Sequence, residues 1–395
     1  MTTALLAGVA LLSAVSDPES LRPDTVLSPP DGPTIAFVQA TGSPAAAIRI
    51  TVPLVESESN AGAGYLIQLL ALERVRRISE TLGIEVLAHR TSFGLVYRLN
   101  GAVTDFDQLA GVARELLARP QSPGFVAART RLQNMNRAER ETARGALRLR
   151  LRSRMASSIP SVTGTLESLA ALNPARLVER WRMSHRRGNL SVVVVADLPV
   201  EAAFSALSEL GEAGPAPETG RLPAPATRRS TAPSPERIRI WYGEAYPSGN
   251  ARDPRSGLLA RIANDRLREF GGEFEPHLER WDLGERSWLV LTAAAFSRNA
   301  TAMRARIRGY IGDLRAALSP TVVRHARSSL RSELLLETRS PGGLAEVIGR
   351  HLDATGDADA ARDHLRRLEE IDFEDMLAFL DEIAAADALT AEVVN

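Results

Sequence analysis

Apolar residues fall along this chain in two rhythms. Residues 34–40 and 47–54 are short runs rich in β-branched side chains, bounded by Gly, Ser and Pro, and they predict strands. Over residues 61–82 the apolar positions recur at three- and four-residue spacing, which predicts a helix. Residues 84–90 and 94–100 alternate as the two arms of a hairpin do. Residues 106–118 form an amphipathic helix, and another helix starts at Pro123. A further helix spans 173–187, with Asn173 as its cap and Pro174 in its first turn. Residues 189–196 (NLSVVVVA) are an apolar run of strand length, the pattern of a strand buried on both faces.

The same order of elements then returns. Residues 237–242 read as a strand and 254–270 as a helix. Residues 274–281 and 287–294 read as strands paired across Asp282-Leu283-Gly284-Glu285. Residues 300–318 are a helix, Pro320 starts the next, and 360–368 and 373–386 are helical in pattern. One local match strengthens the repeat. Leu116-Leu117-Ala118 is followed by Ser122-Pro123, and Ala316-Ala317-Leu318 by Ser319-Pro320, each placing Ser at an N-cap and Pro at the first helical position. Between the copies, residues 214–235 hold six prolines and little hydrophobic pattern, as an extended connector does. The expected organisation is an N-terminal segment 1–20, a first half 21–213, a Pro-rich connector 214–235 and a second half 236–395. The expected fold class is α+β: two similar halves, each an antiparallel-rich sheet with helices packed on one face.

Composition narrows the chemistry. At 395 residues with 44% hydrophobic residues, the chain can bury a sizeable core without a disulfide or metal staple. It has no cysteine, which removes disulfides, thiolate zinc sites, iron–sulfur clusters and a cysteine nucleophile. It has no lysine either, so Schiff-base chemistry and a P-loop lysine are excluded. The 48 basic and 48 acidic residues cancel, and aromatics are 5%, so nothing supports nucleic-acid binding. Beyond the N-terminus no apolar run reaches the roughly 18 residues of a membrane span. Residues 4–15 are apolar and are followed by Ser16, Asp17 and Pro18. That length suits the apolar region of a signal peptide, without its basic n-region, and equally a short N-terminal helix. The compartment, cytoplasmic or exported to the periplasm, turns on which it is.

The order strand, strand, helix, hairpin, helix, long helix, then helix–strand–helix resembles one half of a pitrilysin/insulinase-type (inverzincin) zinc peptidase, in its mitochondrial-processing-peptidase-like branch. The residues carrying the resemblance are AAAIRITVPL at 45–54, the loop 56–60 with Ala61-Gly62-Ala63-Gly64, Phe125 with the arginine-rich helix after it, NLSVVVVAD at 189–197, and NDRLREFGGE at 264–273. The resemblance covers nearly the whole chain and rests on pattern and order.

What it implies chemically is a loss. Active members carry HxxEH, whose two histidines share one helical face and bind zinc while the Glu activates water. Aligned on Gly62, the motif falls on Tyr65-Leu66-Ile67-Gln68-Leu69: Tyr65 and Leu69 stand for the histidines and Gln68 for the Glu. The third ligand would lie near Gln133, Glu139 or Glu141. The six histidines, His89, His185, His277, His325, His351 and His364, include no pair at three-, four- or five-residue spacing. There is no G-x-S-x-G, and Gly62-Ala63-Gly64 is not a phosphate loop. The family's substrate-holding Arg and Tyr would correspond to Arg266 or Arg268 and to Phe274, which keeps the ring and loses the phenol; the plainer reading of both arginines is a solvated helix face.

The implied protein is a catalytically inactive peptidase-like subunit without cofactor. Its expected partner is an HxxEH-bearing zinc peptidase subunit, with a peptide held in a shared chamber. The alternative is a scaffold subunit of a larger complex. An unrelated enzyme built on carboxylates such as Asp17, Glu19 or the 353–363 cluster has less support, because these look like loop and helix-surface charges.

Overall fold

A computed structural model describes residues 18–91, 94–155, 162–215, 239–250, 252–267, 274–283 and 286–394. The signal-like segment up to residue 17, most of the Pro-rich connector and Arg268 lie outside the described residues. The strands are β1 Thr25–Leu27, β2 Thr34–Gln39, β3 Ala45–Pro53, β4 Glu85–Arg90, β5 Gly94–Ala102, β6 Ser191–Ala196, β7 Arg239–Asn250, β8 His277–Leu283, β9 Arg286–Phe296 and β10 Leu389–Val394. The helices of the first stretch are α1 Ala63–Leu82, α2 Phe106–Leu117, α3 Phe125–Glu141, α4 Ala143–Met155, α5 Leu166–Ala171, α6 Pro174–Ser184 and α7 Val200–Leu207. Those of the second are α8 Pro254–Leu267, α9 Ala300–Ala317, α10 Pro320–Glu337, α11 Pro341–Thr355, α12 Ala360–Glu370 and α13 Phe373–Ala385.

These elements pack as two compact units, each drawn from three chain segments. One comprises Met1–Gln133, Val162–Arg221 and Ser332–Arg366; the other comprises Asn134–Ser161, Leu222–Arg331 and Arg367–Asn395. The first unit holds a six-stranded sheet in the order β1-β2-β6-β3-β5-β4. All its pairings are antiparallel except β2 with β6. Alternation along β3 decides which layer each side chain joins. Ala46, Ile48, Ile50 and Val52 enter a core shared with Leu66, Ile67 and Leu70 of α1 and Leu109, Val112 and Leu116 of α2. Arg49 and Thr51 point to the other face, where α11 lies against β3 and β6. The valine run of β6 is buried throughout, as expected of a strand covered on both sides.

The second unit holds a four-stranded antiparallel sheet in the order β10-β7-β9-β8. It repeats the order β6-β3-β5-β4 of the first sheet, so the two-halved α+β architecture is present. On one face α4 packs Leu147, Leu151 and Met155 against Ala245, Val290, Trp288 and Val393. Arg150 and Arg154 of α4 also donate to the backbone carbonyls of Glu392 and Thr390 on β10, occupying acceptors of an edge strand that would otherwise invite another chain.

Three features add to the sequence reading or depart from it. First, each sheet also carries a helix on its second face, α11 on one and α4 on the other. Second, Ser122-Pro123 does not start a helix. Gly124 follows with φ +84°, Phe125 N donates to Ser122 O in a turn (3.1 Å), and α3 begins only at Phe125. Ser319-Pro320 does open α10, with Val322 N donating to Ser319 Oγ (3.3 Å). Third, α11 and β10 form where the sequence pattern predicts no element.

Candidate functional site

The first turns of α1 gather the residues singled out by sequence. The chain leaves β3, passes Glu56 and turns through Gly62, which has φ +88° and no room for a Cβ against Leu169 and the Thr163 carbonyl. Glu56 is buried and accepts hydrogen bonds from Gly64 N (2.7 Å) and Gly62 N (3.3 Å), so its carboxylate meets the partial positive charge of the helix start. Arg90, at the end of β4, reaches over the same turn with Nη1 2.9 Å from Glu56 Oε2.

One turn further on, Tyr65 and Leu69 are half-buried and pack against the core of this unit. Gln68 is buried, and its Nε2 donates to the carbonyls of His89 (2.9 Å) and Val96 (3.4 Å). The amide therefore ties α1 to β4 and β5. A zinc ion needs nitrogen, oxygen or sulfur ligands converging on one point. Leu69 offers none, and the Gln68 amide is turned to backbone carbonyls. These three side chains do not fit a zinc centre.

Of the third-ligand candidates, all on α3, Gln133 and Glu139 are half-buried and Glu141 is exposed. The histidines are scattered, with one exception that local spacing could not show: the rings of His351 on α11 and His364 on α12 lie 4.5 Å apart between centroids. Among the described residues no group of three or more potential metal-ligating side chains comes together. In the second unit, Arg266 sits half-buried in the last turn of α8, and Phe274 is buried just before β8.

Sequence reasoning missed two buried charged groups. In the first unit, Arg49 is 1% exposed at its side chain; its Nε donates to Glu346 (3.0 Å), its Nη2 to Asp353 (2.8 Å) and its Nη1 to Thr51 Oγ1 (2.6 Å). Burial alone pushes this guanidinium down, and Asp353 and Glu346 together more than offset it, leaving it above its ordinary value. In the second unit, Glu244 on β7 is buried between Tyr242, whose hydroxyl donates to it (2.6 Å), and Tyr246, which does the same. Burial first, then Glu244, pushes the Tyr242 phenol up to about 12. A lone charge inside an apolar strand run is the signal that could have flagged both: AAAIRITVP and IWYGEAY each carry one.

No known family profile matches the chain, and no curated protein does. Solved structures match over nearly its whole length. A protease from Helicobacter pylori superposes with a TM-score of 0.77 at 11% identity, covering 94% of this chain and 99% of its own. A peptidase M16 inactive domain from Pseudomonas fluorescens gives 0.76 at 14%, covering 94% and 97%. A chain from the complex III2 structure of Candida albicans gives 0.73 at 11%, covering 93% and 95%. At such identities the likeness is one of fold, and the fold of this chain is that of the M16, pitrilysin/insulinase-type, peptidases.

Proposed function

We propose that this chain is a catalytically inactive peptidase-like subunit. It pairs with an HxxEH-bearing zinc peptidase subunit and supplies wall and peptide contacts to a shared chamber. The observation that carries this reading is Gln68. At the position where an active member needs a general base, a buried amide donates to two backbone carbonyls, beside a leucine that cannot ligate metal. Tyr65, Gln68 and Leu69 are then the remnant of the motif. Arg266, Arg268 and Phe274 are the proposed peptide contacts of the second half, and residues 21–213 and 236–395 are the two related halves joined by the connector. The inactive domain from P. fluorescens supports the reading by its fold.

The alternative, a scaffold subunit without any proteolytic role, draws its support from the complex III2 chain. Purification from the native source under mild conditions, with mass spectrometry of what accompanies the chain, separates the two. The peptidase-subunit reading expects a companion of similar size bearing HxxEH, and peptide cleavage by the pair but by neither chain alone. A companion set from a membrane complex with no HxxEH protein would replace it with the scaffold reading.

A further inference from the structure

One helix from each half of the sequence lies on the sheet of the other. The helix α4, Ala143–Met155, precedes the Pro-rich connector, yet it belongs to the second unit, where Leu147, Leu151 and Met155 pack against Ala245, Val290 and Val393. Its Arg148 and Arg144 reach Glu279 on β8, at 2.6 and 3.5 Å. The helix α11, Pro341–Thr355, follows the connector, yet it belongs to the first unit and lies against β3, β5 and β6. There it covers the face that carries Ala47, Arg49, Thr51, Val96, Val193 and Val195, all of them buried. Both contacts are fitted. A Cβ at Gly349 would lie 2.4 Å from Arg49 Nη1, and one at Gly342 would lie 2.3 Å from Asn100 Oδ1, so α11 gives up side chains where β3 and β5 raise polar ones. On the second sheet the strand gives way instead: a Cβ at Gly243 of β7 would lie 2.9 Å from Leu151 Cδ1. The buried Arg49 finds both of its carboxylates, Glu346 and Asp353, on α11. Without α11 the first sheet would present an apolar face around an unpaired guanidinium, and without α4 the second would uncover Ala245, Val290 and Val393. A half by itself lacks the helix that keeps water from its sheet.

We infer that the two halves are obligate partners. The second face of each sheet is a docking surface whose occupant is one helix of the other half, and the exchange is reciprocal. Continuity of the connector is then not what holds the halves together. A chain cut there remains one particle of two polypeptides, 1:1, and the pieces part only when α4 and α11 both leave their sheets. Such a two-piece subunit would line a chamber or serve as a scaffold equally well.

The test uses the full chain with a protease site inserted in the connector, cut after folding, with the cut read on a denaturing gel. Native mass spectrometry gives the composition of the product. Mixing it with an excess of cut chain grown in heavy isotopes gives the rate at which pieces trade partners. Hydrogen exchange in the opening-limited regime gives the rates at which α4 and α11 open. The expected result is a 1:1 particle whose pieces trade no faster than the slower of the two helices opens. G349V crowds Arg49 and L151A leaves a cavity under α4. Each is expected to speed trading roughly tenfold and the pair roughly a hundredfold, because the two sites lie in different units and add. Pieces that separate on dilution while each keeps its sheet protected overturn the inference. So does trading that outpaces helix opening, which would mean an ordinary interface between two self-sufficient halves. Trading unchanged in both variants overturns it as well. Where a variant fails to fold, the cut chain of unaltered sequence still decides.

Discussion

Single residues carry the sharpest consequences. Gln68 holds α1 to two strands through N–H donors, and a carboxylate in its place would face carbonyl oxygens with nothing to donate. Q68E is therefore expected to cost about 2–4 kcal/mol at pH 7, near the upper end of burying an unsatisfied polar group. Part of that loss should be recovered at low pH, where the protonated acid donates again. Urea unfolding at the two pH values reads this directly, and a Q68E variant as stable as wild type would show that the amide is not a tie. His185 sets a second pH effect. It is wholly buried beside Trp181 with Nδ1 2.9 Å from Ser184 Oγ, and burial pushes it down to about 3. The unfolded imidazole takes up its proton near pH 6.5, while the folded one waits until about pH 3. Between those values the unfolded state binds more protons. Stability is fully present above pH 6.5 and declines as pH falls, by at most about 1.4 kcal/mol per unit. H185N should flatten that slope relative to wild type in urea melts between pH 7 and pH 4, whatever it does to stability at pH 7.

At the scale of elements, one device occurs twice. Glu139-x-x-Thr142-x-x-Gly145 and Glu337-x-x-Ser340-x-x-Gly343 share one spacing. Each closes a long helix and caps the next, with Gly145 N donating to Thr142 Oγ1 and Gly343 N to Ser340 Oγ, both at 3.1 Å. A Cβ at either glycine would collide with the carbonyl of Glu139 or Glu337, so G343A should cost about 1–3 kcal/mol by overpacking. This match is a stronger trace of the internal repeat than Ser-Pro, although cap residues are so common singly that either copy alone signals only a helix start. The helices that follow were hard to read for different reasons. In α4 the sequence LRLRLR alternates like a strand, and only the burial of Leu147 with Leu151 reveals the helical face. In α11 the opening Pro341-Gly342-Gly343 looks like a turn, although Gly349 is what lets the helix approach Arg49. By contrast β6, β3 and α1 were legible because long, consistent apolar periodicity leaves one interpretation. Arg49 itself anchors α11. Replacing it by Met strands Glu346 and Asp353, and a loss of about 3–5 kcal/mol is expected, as for breaking a buried ion pair. The triple variant R49M/E346M/D353L should recover most of that, and hydrogen exchange should show α11 opening in the single variant alone.

For the whole molecule, the question is whether anything beyond the chain's own packing holds it together. The described helices include none long and apolar enough to cross a membrane, and the described residues hold no three-ligand cluster for a metal. At the candidate site Leu69 offers no ligating atom and the Gln68 amide is committed to two carbonyls, in keeping with the second fact. The residue identities were legible in the sequence, but only the fold shows the amide turned to the carbonyls of His89 and Val96. A protein stabilised by a bound ion loses that increment when the ion is removed, by an amount set by the ratio of ion concentration to its dissociation constant. Under the inactive-subunit proposal, stability resides in the two sheets, each covered on both faces by helices, and in buried ion pairs such as Arg49 with Asp353. A strong chelator should then leave the melting temperature of the isolated chain unchanged, and added zinc should not raise it. In a complex with an HxxEH-bearing partner the same chelator should abolish cleavage while the fold of this chain, followed by hydrogen exchange in α1 and α11, stays intact. A chelator-dependent fall in the melting temperature of the isolated chain would mean a metal centre of its own, and would return it to the active peptidases.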